Sequence, residues 1–177
     1  APSLSRIPLA PIFNKAAESV YSHHATAVVA VAKYCKDQLV FHGVPENKIS
    51  VVHNGLPARQ QTDKLVTRAD AGLDDSNFVI GIASRLDPVK GLEYLMDAFA
   101  KIVLAYPMAR LLLVGDGPCE KNLRKQSAKL DIADKVIFTG YQDNVDNWLD
   151  VFDVFVLPSL AEYHSIALLE AMRAGKA

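Results

Sequence analysis

Apolar residues fall along this chain in short unbroken clusters rather than in alternation with polar ones. The clusters are ATAVVAVA (25–32), ISVVH (49–53), FVIGIA (78–83), RLLLVG (110–115), KVIFTG (135–140) and DVFVLP (153–158). A strand that is apolar on both sides must be covered on both sides, as in a parallel sheet flanked by helices. The stretches between the clusters carry a helical period. Leu92, Leu95, Met96, Phe99, Ile102 and Val103 follow the i, i+3, i+4, i+7 spacing, so an amphipathic helix is expected over 92–105, with Pro107 just past its end. Further helices are expected over 119–130, 144–151 and 165–174. From residue 78 onward strand and helix alternate, which predicts an α/β fold with a Rossmann-like, doubly wound parallel sheet.

Two places interrupt the pattern. PARQQTDKLVTRADAGLDDS (57–76) is polar and has no sustained period, and Asn54-Gly55 just upstream is a turn signal, so 57–76 is expected to be a linker. Residues 1–56 then hold only helix, strand, helix, strand. Two parallel strands make a poor independent sheet, so this part reads as the remnant of a preceding domain. At the far end EAMRAGKA closes a helix at Gly175, and the domain at 77–177 would keep an open sheet edge. It is expected to be incomplete.

Composition narrows the function classes. The 177 residues balance 19 Lys and Arg against 20 Asp and Glu, and a net charge of -1 gives no field for gathering nucleic acid. Cys35 and Cys119 are the only cysteines, too few for a disulfide framework and consistent with a reducing cytoplasm. No apolar run approaches the roughly 20 residues that span a membrane, so no transmembrane segment is expected, and the first residues lack the form of a signal peptide. His23-His24 has neither metal-ligand spacing nor partners.

The chemistry lies in two segments that follow strands. ASRLDPVKG (83–91) joins a buried strand to the helix from Leu92, and ligands of such sheets bind beyond the carboxyl ends of the strands. Arg85 and Lys90 place cations beside a helix N-terminus, which itself favours an anion. A diphosphate between them resolves that arrangement; a plain Arg85–Asp87 pair with a solvated Lys90 is the alternative. The second segment, SLAEYHSIALLEAMRAGKA (159–177), carries Glu170 inside a nearly all-apolar helix. A carboxylate there is costly unless it is paired, with Arg173 as the ordinary partner and ligand hydroxyls as the functional one. Glu162 stands in the loop before that helix, and Ser165 is a candidate N-cap. These loops follow the first and fourth strands from residue 78, which are neighbours in a doubly wound sheet, and cations and carboxylates meeting there suit a nucleotide sugar.

The motifs together resemble the retaining GT-B glycosyltransferases of family 4. The Glu-x7-Glu hallmark appears as EYHSIALLE, from Glu162 to Glu170, with SRLDPVKG, LLLVGDGP (111–118), FTGY (138–141), VLPS (156–159) and EAMRAGK (170–176) in the family's order. Residues 25–56 are similar to the end of the family's acceptor domain. The resemblance implies that Arg85 and Lys90 hold the donor diphosphate and steady the leaving nucleotide, while Glu170 binds ribose hydroxyls and Glu162 faces the donor sugar. Backbone groups of Tyr163, His164, Ser165 and Ile166 would cradle sugar and phosphate, and Gly140, Tyr141 and Gln142 would lie along the base. It further implies a UDP- or GDP-linked donor, a glycan or lipid-linked acceptor held by a missing domain, retention without a protein nucleophile, no metal or cofactor, and a cytoplasmic enzyme that can associate with membranes. The chain alone is expected to be inactive as a transferase. A sugar-nucleotide epimerase or phosphorylase on the same scaffold is the alternative. Tyr163-His164-Ser165 replaces the glycine-rich Gly-Phe-Gly of many relatives, and His164 is expected to pack as that phenylalanine does rather than to transfer protons. GDGP (115–118) lacks the third glycine of a dinucleotide fingerprint and is expected to be a turn.

Overall fold

Strand β3 (Phe78–Ala83) shows why this chain folds as it does: every residue after Phe78 is buried, so the sheet must be covered on both faces. A computed structural model describes residues 24–59 and 65–177. After β3 come α2 (Leu92–Ala105), β4 (Ala109–Val114), α3 (Glu120–Lys129), β5 (Val136–Gly140), α4 (Val145–Leu149), β6 (Val154–Phe155) and α5 (Ile166–Arg173). The strands are all parallel, in the order β5-β4-β3-β6, so the first and fourth are neighbours as expected.

Side chains of period two divide this sheet between two cores. Ile80, Ile82, Leu111 and Leu113 point to one face, where they meet Leu95, Met96 and Phe99 of α2 and Leu123 of α3. Val79, Ala83, Leu112 and Val114 point to the other, against Leu149, Phe152 and Ala171. Gly81 lies between them on this second face. A Cβ there would sit 2.3 Å from the Phe152 ring, so the glycine lets the ring lie flat on the strand.

β6 is shorter than the apolar cluster at 153–158. Asp153 N–H donates to Val79 O and Val156 N–H to Gly81 O, both at 2.9 Å, and then Pro158, with no N–H, stops the pairing. On the other side of β6, Phe155 N–H donates to Ala177 O. The segment expected as a linker is more built than its polarity suggests. Among its described residues, Ala71 and Leu73 are buried in the second core and Val66 packs against it. Arg68 donates to Asn77 O and to Asp153, whose other oxygen accepts the Val79 N–H at 2.7 Å. Three apolar residues and two ion pairs, the second from Arg59 to Asp150, dock a segment whose sequence shows no period.

A second unit, separate in its contacts, comprises the described residues up to Gly55 together with Ala161–Ile166. β1 (Val28–Ala30) and β2 (Ile49–Val51) pair in parallel, joined by α1 (Lys33–Phe41). Its small core is Ala30, Cys35, Leu39, Val44 and Ile49, with Tyr163 packed against it. So the region expected to be one domain at 77–177 lends six residues to the other unit. The helix expected before β1, and His23, lie outside the described residues.

The Gly81 contact yields a test. Gly81→Ala is expected to destabilise the chain by about 1–3 kcal/mol through overpacking. Urea unfolding should show the loss, and adding Phe152→Leu should recover part of it.

Candidate functional site

The basic loop leaves β3 at Ser84 and is pinned by one buried side chain. Leu86 is fully buried; its N–H donates to Asp116 O at 2.7 Å and its O accepts from Cys119 N–H at 3.0 Å. GDGP is thus the turn that holds this loop, as its sequence implied. Burying Leu86 turns its neighbours outward. Arg85 is 72% exposed, with Nε 3.6 Å from Asp87 Oδ2. The alternative pairing is therefore present, but at that length and exposure such a pair contributes about 1 kcal/mol at most, and the guanidinium keeps donors for an anion. The Ser84 hydroxyl is buried with no hydrogen-bond partner among the described residues, a polar group at the head of the loop that sequence reasoning overlooked.

The loop ends in a short helical turn, Pro88–Lys90, that delivers Lys90 to the start of α2. Gly91 follows with φ +63°, and a Cβ on it would fall 2.3 Å from Pro158 O. Leu160 N–H donates to Val89 O at 2.8 Å. These contacts fasten the basic loop to the loop that leaves β6. The adjacency of β3 and β6, inferred from topology, is therefore a direct backbone contact.

α5, the helix of Glu170, packs differently from what its apolar run implied. Its small residues Ala167 and Ala171, and Ala174 just past its end, meet the second core, while Leu168 and Met172 face outward at 43% and 63% exposure. Glu170 is half-buried, and its carboxylate makes no hydrogen bond or ion pair among the described residues. Arg173, its expected partner, is engaged elsewhere. It donates to Asp146 Oδ1 at 2.6 Å and to Pro57 O at 2.7 Å. Burial, and then the nearby Asp146 carboxylate, push the Glu170 pKa up, and Arg173 only partly offsets them. A carboxylate left in that state is positioned to accept hydrogen bonds from hydroxyls.

Beyond β5, Gly140, Tyr141 and Gln142 form a turn in the same unit, and Gly115 N–H donates to Gly140 O at 2.9 Å. Tyr141 is exposed, whereas the Gln142 amide is engaged at both ends by Thr139 O and Trp148.

The remaining expected residues gather in the other unit. Glu162 is exposed. Tyr163 stacks on Tyr34 with ring centroids 6.1 Å apart. The His164 ring lies 5.3 Å from that of His53, its Nδ1 is buried without a partner among the described residues, and its carbonyl accepts from Asn54 Nδ2 at 2.9 Å. The His164 ring is thus packed against that of His53 within this unit. Asn54 was legible only as part of a turn and His53 only as the end of an apolar cluster, because what they meet lies far along the chain, 110 residues on for Asn54. Ser165 and Ile166 complete the loop into α5. No group of three His, Cys, Asp or Glu suited to a metal occurs among the described residues, and none of the described helices is long and apolar enough to cross a membrane.

Comparison with known proteins bears on this geometry. Residues 63–177 match the family model described as glycosyl transferases group 1. An uncharacterized glycosyltransferase of Methanocaldococcus jannaschii is 30% identical over 169 residues, covering 90% of this chain and 43% of the relative. A GDP-mannose-dependent monoacylated phosphatidylinositol monomannoside mannosyltransferase of Corynebacterium glutamicum is 39% identical over 100 residues, covering 55% of this chain and 26% of its own. Among solved structures, Anabaena HepE in complex with UDP and glucose superposes with a TM-score of 0.80 at 26% identity, over 93% of this chain and 47% of that one. The chain thus spans less than half the length of these relatives, and the GT-B fold is that of its structural neighbours.

Glu170 sets a pH-dependent expectation. A carboxyl whose folded pKa lies above its unfolded value of about 4.5 costs stability when ionised, and the cost fades as pH falls through the folded pKa. Glu170→Gln is therefore expected to raise Tm near neutral pH by about 1–3 °C, with the advantage gone below about pH 4.5. Thermal scans of both proteins across pH check it.

Proposed function

The chain belongs to the group 1 glycosyltransferases, and on that premise we propose that it binds the nucleotide-diphosphate sugar donor of a retaining hexosyl transfer. The observation that carries this reading is the contact of the two loops at the carboxyl ends of β3 and β6, Gly91 against Pro158 O and Val89 O against Leu160 N–H. It sets Arg85 and Lys90, with the opening of α2, beside the loop that leads on to the Glu-x7-Glu segment. Arg85 grips the diphosphate with its fork and Lys90 adds a point charge. Glu170 accepts hydrogen bonds from the ribose hydroxyls, and the family resemblance assigns Glu162 to the donor sugar. The Gly140–Gln142 turn lies along the base.

Chemically the basic groups stabilise the charge that develops as the nucleotide departs, the electrostatic part of the catalysis. In the transfer, the bond from the anomeric carbon to the phosphate oxygen breaks while the acceptor oxygen bonds to the same face of the sugar. The acceptor proton passes to the leaving phosphate, so no side chain serves as nucleophile. Arg85, Lys90 and the helix N-terminus take the diphosphate charge, so the reading holds the reaction to be independent of metal. The UDP of the Anabaena complex and the GDP-mannose in the name of the mannosyltransferase set the two donor bases to compare.

Calorimetry on the 177-residue chain with UDP, GDP, UDP-glucose and pyrophosphate provides the test. Arg85→Ala and Lys90→Ala are each expected to weaken all ligands about tenfold or more, the scale of one charged hydrogen bond. Glu170→Gln is expected to weaken UDP several-fold and leave pyrophosphate unchanged, and EDTA to alter neither. A wild-type chain that binds none of the four sinks the proposal.

A further inference from the structure

The turn after β5 is held by a chain of hydrogen bonds that ends in the only tryptophan of the protein. The pairing of β4 with β5 shifts register between Leu113 and Val114, so that Phe138 is followed in the ladder by Gly140 and Thr139 is left out. Thr139 turns its hydroxyl to Gly140 O at 2.9 Å, an oxygen that also accepts the Gly115 N–H. Gly140 then takes φ +69°, which opens the turn. Across it, Gln142 Nε2 donates to Thr139 O at 3.0 Å, and Gln142 Oε1 accepts from Trp148 Nε1 at 3.0 Å. Trp148, on α4, is packed against the second core.

We infer that the side chains of Gln142 and Trp148 form a brace that holds still the turn at which the family resemblance sets the nucleobase, and that the Gln142 amide group is thereby kept out of base contact. This rests on the donor-binding reading above and deepens it at the base. Both ends of the Gln142 amide are already committed, so reading a base with it would break two existing bonds and leave polar groups unmatched. Among the described residues, the Tyr141 N–H and C=O and the Gln142 N–H make no hydrogen bond. A base edge that offers an acceptor beside a donor can use them, provided the turn is held still. The brace ties it to the bulge on one side and to the sheet-packed indole on the other. The side chains of Gln142 and Trp148 are therefore positioning groups, neither touching the donor.

The test compares a ligand with a base and one without it. In the wild-type chain UDP is expected to shift Trp148 fluorescence, and pyrophosphate is expected to bind without that shift. Gln142→Ala should weaken UDP about five- to tenfold by calorimetry and leave pyrophosphate affinity unchanged. Trp148→Phe keeps the ring and removes the N–H, and should reproduce the selective loss with Tm within a few degrees. Amide exchange at 140–142, measured without ligand, should quicken in both variants. Equal losses for UDP and pyrophosphate, or no loss for either, overturn the brace while leaving the diphosphate site intact. Unchanged exchange at the turn overturns it on structural grounds alone, even in a variant that binds nothing. Failure of the wild-type chain to bind pyrophosphate as well as UDP instead removes the donor-binding reading, and the base proposal with it.

Discussion

The parallel pairing of β6 beside β3 is the constraint on which the candidate site depends. It requires the chain to cross over after β5 and return to the first strand of the sheet, and the crossover places two carboxyl-end loops side by side. Backbone contacts then set the distance between them. With φ +63° and Pro158 O where a Cβ would lie, Gly91 fits because it has no side chain, and the basic loop is fixed against its neighbour to within a hydrogen bond. Neither loop holds that position by itself: Arg85 and Lys90 are local in sequence, but their loop is held by Asp116 and Cys119 and by Pro158 and Leu160.

Electrostatics follow from the same placement. Folding usually gives a partly buried carboxylate a cation, and Arg173 stands one helical turn from Glu170. The chain gives Arg173 to Asp146 and to the Pro57 carbonyl instead, so Glu170 remains partly desolvated with its pKa raised. The Ser84 hydroxyl, also buried, is likewise left without a partner among the described residues. Polar groups left unsatisfied in this way cost the folded protein stability. The brace at Gln142 shows the opposite device, a polar side chain fully occupied so that the backbone beside it stays open.

The two compact units divide the Glu-x7-Glu segment unevenly. Glu170 belongs to the sheet unit, whereas Glu162 to Ile166 are gathered with the first unit through Tyr34, His53 and Asn54. The substitution of Tyr163-His164-Ser165 for the glycine-rich form of many relatives has a local account here. Tyr163 supplies an aromatic face that stacks on Tyr34, which a glycine could not, while His164, at the phenylalanine position, keeps a ring against His53.

By itself the sequence determined the order of the elements, the parallel sheet and the residue types of the site. These are local or periodic quantities: FVIGIA is apolar on both faces wherever it lies, and the 92–105 helix ends before Pro107 as its spacing required. It also determined that cations follow one strand and carboxylates lie near another. The tertiary structure decided the partners. It docked Ala71 and Leu73 from a segment with no periodicity, turned the small residues of α5 inward and the large ones out, diverted Arg173 from Glu170, and closed the Gln142–Trp148 bond across the turn after β5. The physical reason is that hydrogen bonds and ion pairs act over a few ångströms in space, and which groups come that close depends on contacts far apart along the chain.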